Sequence, residues 1–126
     1  MSEATVERVR QAYRLIRRGN PLDLLELVAP DAVWESADGA KACDGRDQLT
    51  KTLLWRGAAH RLRATSFVDV GDRVVVTVAG TRMGRLGAPW WAWRIFQVVT
   101  LRDGKIARIQ DFPRRADAFA AVGLEV

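Results

Sequence analysis

A chain of 126 residues with 48% hydrophobic and 28% charged residues has the size of one domain, 1-126, and the make-up of a globular one. No apolar run approaches the roughly 20 residues that span a bilayer, and the start, MSEATVERVR, is charged without an apolar h-region, so a cytoplasmic protein with no membrane contact is expected. The net charge of +5 is spread over Arg8, Arg10, Arg14, Arg46, Arg63, Arg82 and Arg108; only Trp90, Trp91 and Trp93 beside Arg94 interleave rings with a base, so nucleic acid is not the expected partner.

From Thr5 to Arg18 apolar residues recur at helical spacing (Val6, Val9, Tyr13, Ile16), which predicts a first helix ended by Gly19-Asn20. Asn20 suits an N-cap and Pro21 a first helical position, so a short second helix over LDLLELVA should stop before Pro30. Ala32 to Ser36 reads as a strand, and the stretch through Gly45 as a loop. A third helix is predicted from Arg46 to Trp55, with Leu49, Leu53 and Leu54 turned inward.

Beyond His60 the period changes to two. Strands are predicted over Leu62–Val70, Val74–Thr81, Trp91–Arg102 and Lys105–Phe112, with turns at Gly71-Asp72 and Asp103-Gly104 and a loop from Arg82 to Pro89. In WAWRIFQVVTL, Trp91, Trp93, Ile95, Gln97, Val99 and Leu101 share one face, and Arg94, Phe96, Val98 and Thr100 the other. Apolar residues on both faces imply that both are covered. A short helix over Ala116–Val122 closes the pattern. Helices followed by a long, mostly antiparallel sheet make an α+β order rather than a βαβ one.

Cys43 is the one cysteine and His60 the one histidine, so neither an internal disulfide nor a Cys/His metal site is expected. The informative acid is Asp111. It lies two residues beyond Ile109 and faces the same way, and a carboxylate on the buried side of a strand is costly unless paired, hydrated or used.

The element order, with PDAVWESADG after the second helix, DGRDQL opening the third and LRDGKIARIQDF near the end, resembles the nuclear transport factor 2-like superfamily. That superfamily includes SnoaL-like polyketide cyclases, ketosteroid isomerases and limonene epoxide hydrolases. The resemblance implies a cone-shaped α+β roll, a strongly curved sheet wrapped around the helices with an apolar pocket inside. It also implies a homodimer formed through the outer face of the sheet.

Against the ketosteroid isomerase pattern, the general-base aspartate falls at Ser36, the oxyanion tyrosine near Tyr13 and the second donor at Gln97. Without a base, the family's steroid isomerisation is not expected. Against the epoxide hydrolase pattern, IQDFPR puts Asp111 at a catalytic aspartate and Trp34 and Ser36 at the water-holding positions. Ala79 and Thr81 replace the arginine and second aspartate, so the relay is absent. SnoaL-like cyclases require an acid/base aspartate and a shaped apolar cavity, which Asp111 and the tryptophans Trp34, Trp91 and Trp93, with Trp55 as a further wall, can supply.

The expected site is therefore a pocket bounded by Tyr13, Trp34, Ser36, Leu53, Trp93, Gln97 and Asp111, for a small, largely apolar organic ligand. Asp111 is the candidate acid/base and Tyr13 its catalytic partner, with Tyr13 and Gln97 donating to a ligand oxygen; no metal or organic cofactor is implied. Three alternatives stay open. Asp111 can instead pair with Arg63 or Arg108, the interior can be filled by its own side chains in a non-catalytic binding or assembly domain, or the chain can be an epoxide-hydrolase-like hydrolase.

Overall fold

The computed structural model describes residues 2–36, 41–59, 61–80 and 93–124. Helix α1 (Ser2–Arg18) ends where Gly19 takes φ +70°, with the amide of Asn20 closing back on the Leu15 carbonyl at 3.1 Å. Asn20 then caps α2 (Pro21–Glu26) by accepting from the Asp23 amide at 3.2 Å, with Pro21 opening the helix.

Strand β1 (Val28–Glu35) starts four residues earlier than expected and runs through Pro30. The sheet tolerates this proline because the β1–β6 ladder opens there: pairing jumps from Val28–Ile106 to Val33–Arg108, leaving Pro30 and Asp31 exposed. Arg102 hydrogen-bonds Asp31 in that excursion and holds its carboxyl below the usual carboxylate range. A second difference lies in the stretch expected to be loop. There β2 (Lys41–Asp44) pairs antiparallel with β1, a strand too short for its alternation to register in the sequence.

Helix α3 (Arg46–Ala59) runs one turn past the expected end at Trp55. The remaining strands are β3 (Arg63–Val70), β4 (Arg73–Gly80), β5 (Trp93–Arg102) and β6 (Lys105–Phe112), followed by α4 (Arg115–Ala121). The predicted Asp103-Gly104 hairpin is present with both residues at positive φ, +54° and +76°. The sheet order is β2-β1-β6-β5-β4-β3, antiparallel throughout except for the β1–β6 pair.

One face of the sheet carries Val74, Val76, Val78, Val99, Ile106 and Ile109 in a common core with α1, α2 and α3. The other face is covered in part within the same chain. Ala118, Phe119 and Val122 of the α4 segment seal Val75 and Val98, with Phe96 and Phe112 half-buried at the margin. No helix of the described residues is long and apolar enough to cross a membrane.

Helices α1 and α3 meet at Gly57, where an added Cβ would lie 2.5 Å from Ile16 Cγ2. Because that methyl branches from Cβ, a stiff χ1 prevents it from swinging away. Gly57→Ala should therefore lower stability by about 1–2 kcal/mol, a clash that outweighs alanine's helix preference of about 1 kcal/mol. Urea unfolding of the two proteins checks this.

Candidate functional site

Three elements converge on one buried polar chain. Gln97 on β5 and Asp111 on β6 are register partners on the inner face, 3% and 6% exposed. Gln97 Nε2 donates to Asp111 Oδ1 at 2.9 Å. From α1, the Tyr13 hydroxyl donates to Gln97 Oε1. The amide is thereby fixed, its oxygen toward the phenol and its N–H₂ toward the carboxyl.

Trp34 comes from β1, where it neighbours Ile109 of β6. Its indole Nε1 is buried and has no hydrogen-bond partner among the described residues. It lies near enough to Asp111 to favour the ionised carboxyl, yet outside hydrogen-bond geometry. The Arg56 guanidinium stacks 4.9 Å from the centre of the Trp34 ring.

These surroundings set the protonation states. Burial pushes the Asp111 carboxyl above its ordinary range, and Gln97, Trp34 and the Arg56 charge only partly offset it. Burial, reinforced by the negative charge of Asp111, pushes the Tyr13 phenol up as well, so it remains an O–H donor at physiological pH.

Of the residues expected at the site, Tyr13, Trp34, Gln97 and Asp111 are brought together. Leu53 is fully buried in the same core, and Ser36 lies half-buried just after β1. Trp93 sits on β5 opposite Gly80, but its side chain, like Trp90, Trp91, His60, Thr81 and the Arg82–Pro89 loop, lies outside the described residues.

Three expectations are corrected. Trp55 is 60% exposed and walls nothing. Tyr13 does not hold a spare donor in this structure, because its hydroxyl donates to Gln97 Oε1. The suggested ion pair with Arg108 is absent as well: Arg108 clasps Glu35 through Nε and Nη2 at 2.8 and 2.9 Å on the opposite face of β6.

Arg56 is the residue that sequence reasoning missed. It continues the inner stripe Leu49, Leu53, Arg56 at i, i+4, i+7, but the helix was expected to stop one residue before it. Cys43 is buried and donates to Thr52 Oγ1 at 3.3 Å. Among the described residues no group of three or more His, Cys, Asp or Glu side chains could hold a metal ion.

Residues 9–109 match the family model of the SnoaL-like domain. The chain belongs to the SnoaL-like family. No curated protein matches this SnoaL-like chain. Among solved structures it is similar to a protein of ketosteroid isomerase-like fold from Catenulispora acidiphila in complex with trimethylamine (24% identity, 94% of this chain and 93% of that one, TM-score 0.64). It is also similar to an NTF2-like protein of unknown function from Burkholderia pseudomallei (22% identity, 98% and 99%, TM-score 0.67). A third is TerC co-crystallized with polyporic acid (21% identity, 94% and 98%, TM-score 0.67). These likenesses establish the cone-shaped SnoaL-like α+β fold; chemistry has to come from the side chains.

Because burial raises the folded-state pKa of Asp111, the folded protein holds this proton more tightly than the unfolded chain does. Its stabilising contribution is complete below the ordinary carboxylate pKa of about 3.9 and is lost as pH rises to the raised value, at about 1.4 kcal/mol per unit of elevation. Asp111→Asn, which keeps an acceptor for Gln97, should therefore be more stable than the parent at pH 8. The difference should shrink at pH 4, as read by urea unfolding at the two pH values.

Proposed function

We propose that this SnoaL-like chain binds a small, largely apolar organic molecule inside the cone and moves a proton on it with Asp111, in cyclase or isomerase chemistry. The observation that carries this reading is the buried Tyr13–Gln97–Asp111 chain with the unpartnered Trp34 indole N–H beside it. A buried donor without an acceptor costs about 1–3 kcal/mol, and a ligand oxygen would supply the missing acceptor.

In this mechanism the Asp111 carboxylate takes a proton from carbon next to a ligand carbonyl, and the resulting acid returns it to another atom of the same molecule. The proton balance closes on Asp111. A carboxyl whose pKa is raised by burial is the better base and is recharged more readily near neutral pH. Trp34 Nε1 and the second Gln97 N–H stabilise the oxygen on which charge develops, while Tyr13 acts through Gln97 by fixing its amide. Leu53 and Ser36 complete the proposed walls among the described residues.

Supporting this over a hydrolase is Ala79, which is buried at the position where an epoxide hydrolase relay would need arginine. A non-catalytic binding or assembly domain is the competing reading. The dense apolar cluster behind the site favours it, because an interior already filled by its own side chains has no room for substrate.

A panel of polycyclic and terpenoid ketones, followed by tryptophan fluorescence and by product analysis, tests the proposal. With any ketone that binds, Asp111→Asn should retain affinity within a few-fold and lose turnover by about 10²–10⁴-fold, the usual weight of a general acid/base. Full turnover in that variant would remove Asp111 from the chemistry, and binding without turnover in the parent would establish the non-catalytic reading.

The homodimer is proposed through the part of the outer face that α4 leaves open, around half-buried Phe96 and Phe112. Light scattering behind a sizing column should give twice the 14.1 kDa chain mass, and Phe96→Lys should reduce it to one.

A further inference from the structure

Outside the Asp111 site, the structure holds a pocket of about 280 Å³ between α1 and the start of β3. Its rim carries Arg10, Arg14 and Arg17 from α1 and Arg63 from β3. On α1 the spacing i, i+4, i+7 places the three guanidinia along one stripe. The rest of the lining is different in kind, an apolar floor of Tyr13, Leu62, Ala64 and Phe67.

Like charges gathered around one concavity repel each other unless a counter-charge is supplied. Glu7 supplies part of it, pairing with Arg14 at 2.7 Å and more loosely with Arg10 at 3.9 Å. Arg17 has no ion-pair partner among the described residues. Arg10 is also oriented, its guanidinium 4.7 Å from the centre of the Phe67 ring, which in turn meets Tyr13 edge-on at 6.2 Å. A guanidinium held over an aromatic ring loses little freedom when it binds a carboxylate.

We propose that this groove is an anion subsite for an aromatic carboxylate, with the ring against the apolar lining of Leu62, Ala64 and Tyr13 beside the Arg10–Phe67 stack and the carboxylate among Arg10, Arg14 and Arg17. The apolar floor distinguishes such a ligand from a bare inorganic anion. The volume falls just below the usual range for ligand pockets and suits one or two fused rings. The proposal does not depend on turnover at Asp111.

Calorimetry with 2-naphthoate, the uncharged 2-naphthalenemethanol and inorganic phosphate tests it, with amide shifts locating the bound probe. The expected result is naphthoate bound at least about tenfold tighter than either other probe, in line with a charge-assisted hydrogen bond added to apolar contact. Shifts should centre on α1 and β3. The exposed double variant Arg10→Gln/Arg17→Gln should lose that preference, and Asp111→Asn should leave it unchanged. Equal affinity for naphthoate and the alcohol, equal affinity for phosphate, or no binding of naphthoate in the millimolar range would overturn the proposal. So would a preference that survives the double variant. Loss of naphthoate binding in Asp111→Asn would place the probe at the buried carboxyl and overturn the groove instead.

Discussion

A carboxyl group sealed inside a protein is governed by what sits opposite it. Opposite Asp111 stands a neutral amide, Gln97, rather than a guanidinium, and Tyr13 locks that amide's orientation. A cation at the same position would hold the acid permanently ionised. A neutral donor makes the buried group tolerable while leaving its proton exchangeable. Arg56, set over the Trp34 ring, moderates the environment without closing an ion pair.

Strand β6 keeps charge pairing and proton-bearing chemistry apart by its pleat alone. Arg108, exposed on the outer side, spends its fork on Glu35; Ile109 and Asp111 turn the other way, into the core. A one-residue slip of this strand would exchange the two environments, burying a guanidinium and hydrating the acid. The two-residue Asp103-Gly104 turn, which pins Arg102 against Lys105, and the one-residue register shift that follows it between the Leu101–Ile106 and Thr100–Arg108 pairs therefore together set the chemistry of the interior as well as the hairpin.

Much of this architecture was legible in the residues because it is local. The β6 limits, the faces of β5, the cap at Asn20 and the glycine turns follow from period-two patterning and positive φ. Long-range geometry was not legible. Pro30 looked like a barrier because nothing in its neighbourhood announces that the ladder it interrupts is already open. Lys41–Asp44 is strand only through its pairing with β1. In the site, Asp111, Gln97 and Tyr13 stood out as polar groups on apolar stripes, but that Tyr13 reaches Gln97 rather than a ligand depends on how α1 crosses the sheet. Arg56 escaped notice because a helix end is the least certain part of a periodic pattern.

The last strand in the chain is not the last in the sheet. With the order β2-β1-β6-β5-β4-β3, β6 is the keystone between an early half built from β1 and β2 and a later half built from β5, β4 and β3. During synthesis the two halves have no shared edge until residues 105–112 leave the ribosome, and both present open ladder groups to solvent for that interval. The acid arrives on the same segment that joins the halves, so Asp111 and its surroundings come into being in a single closing event.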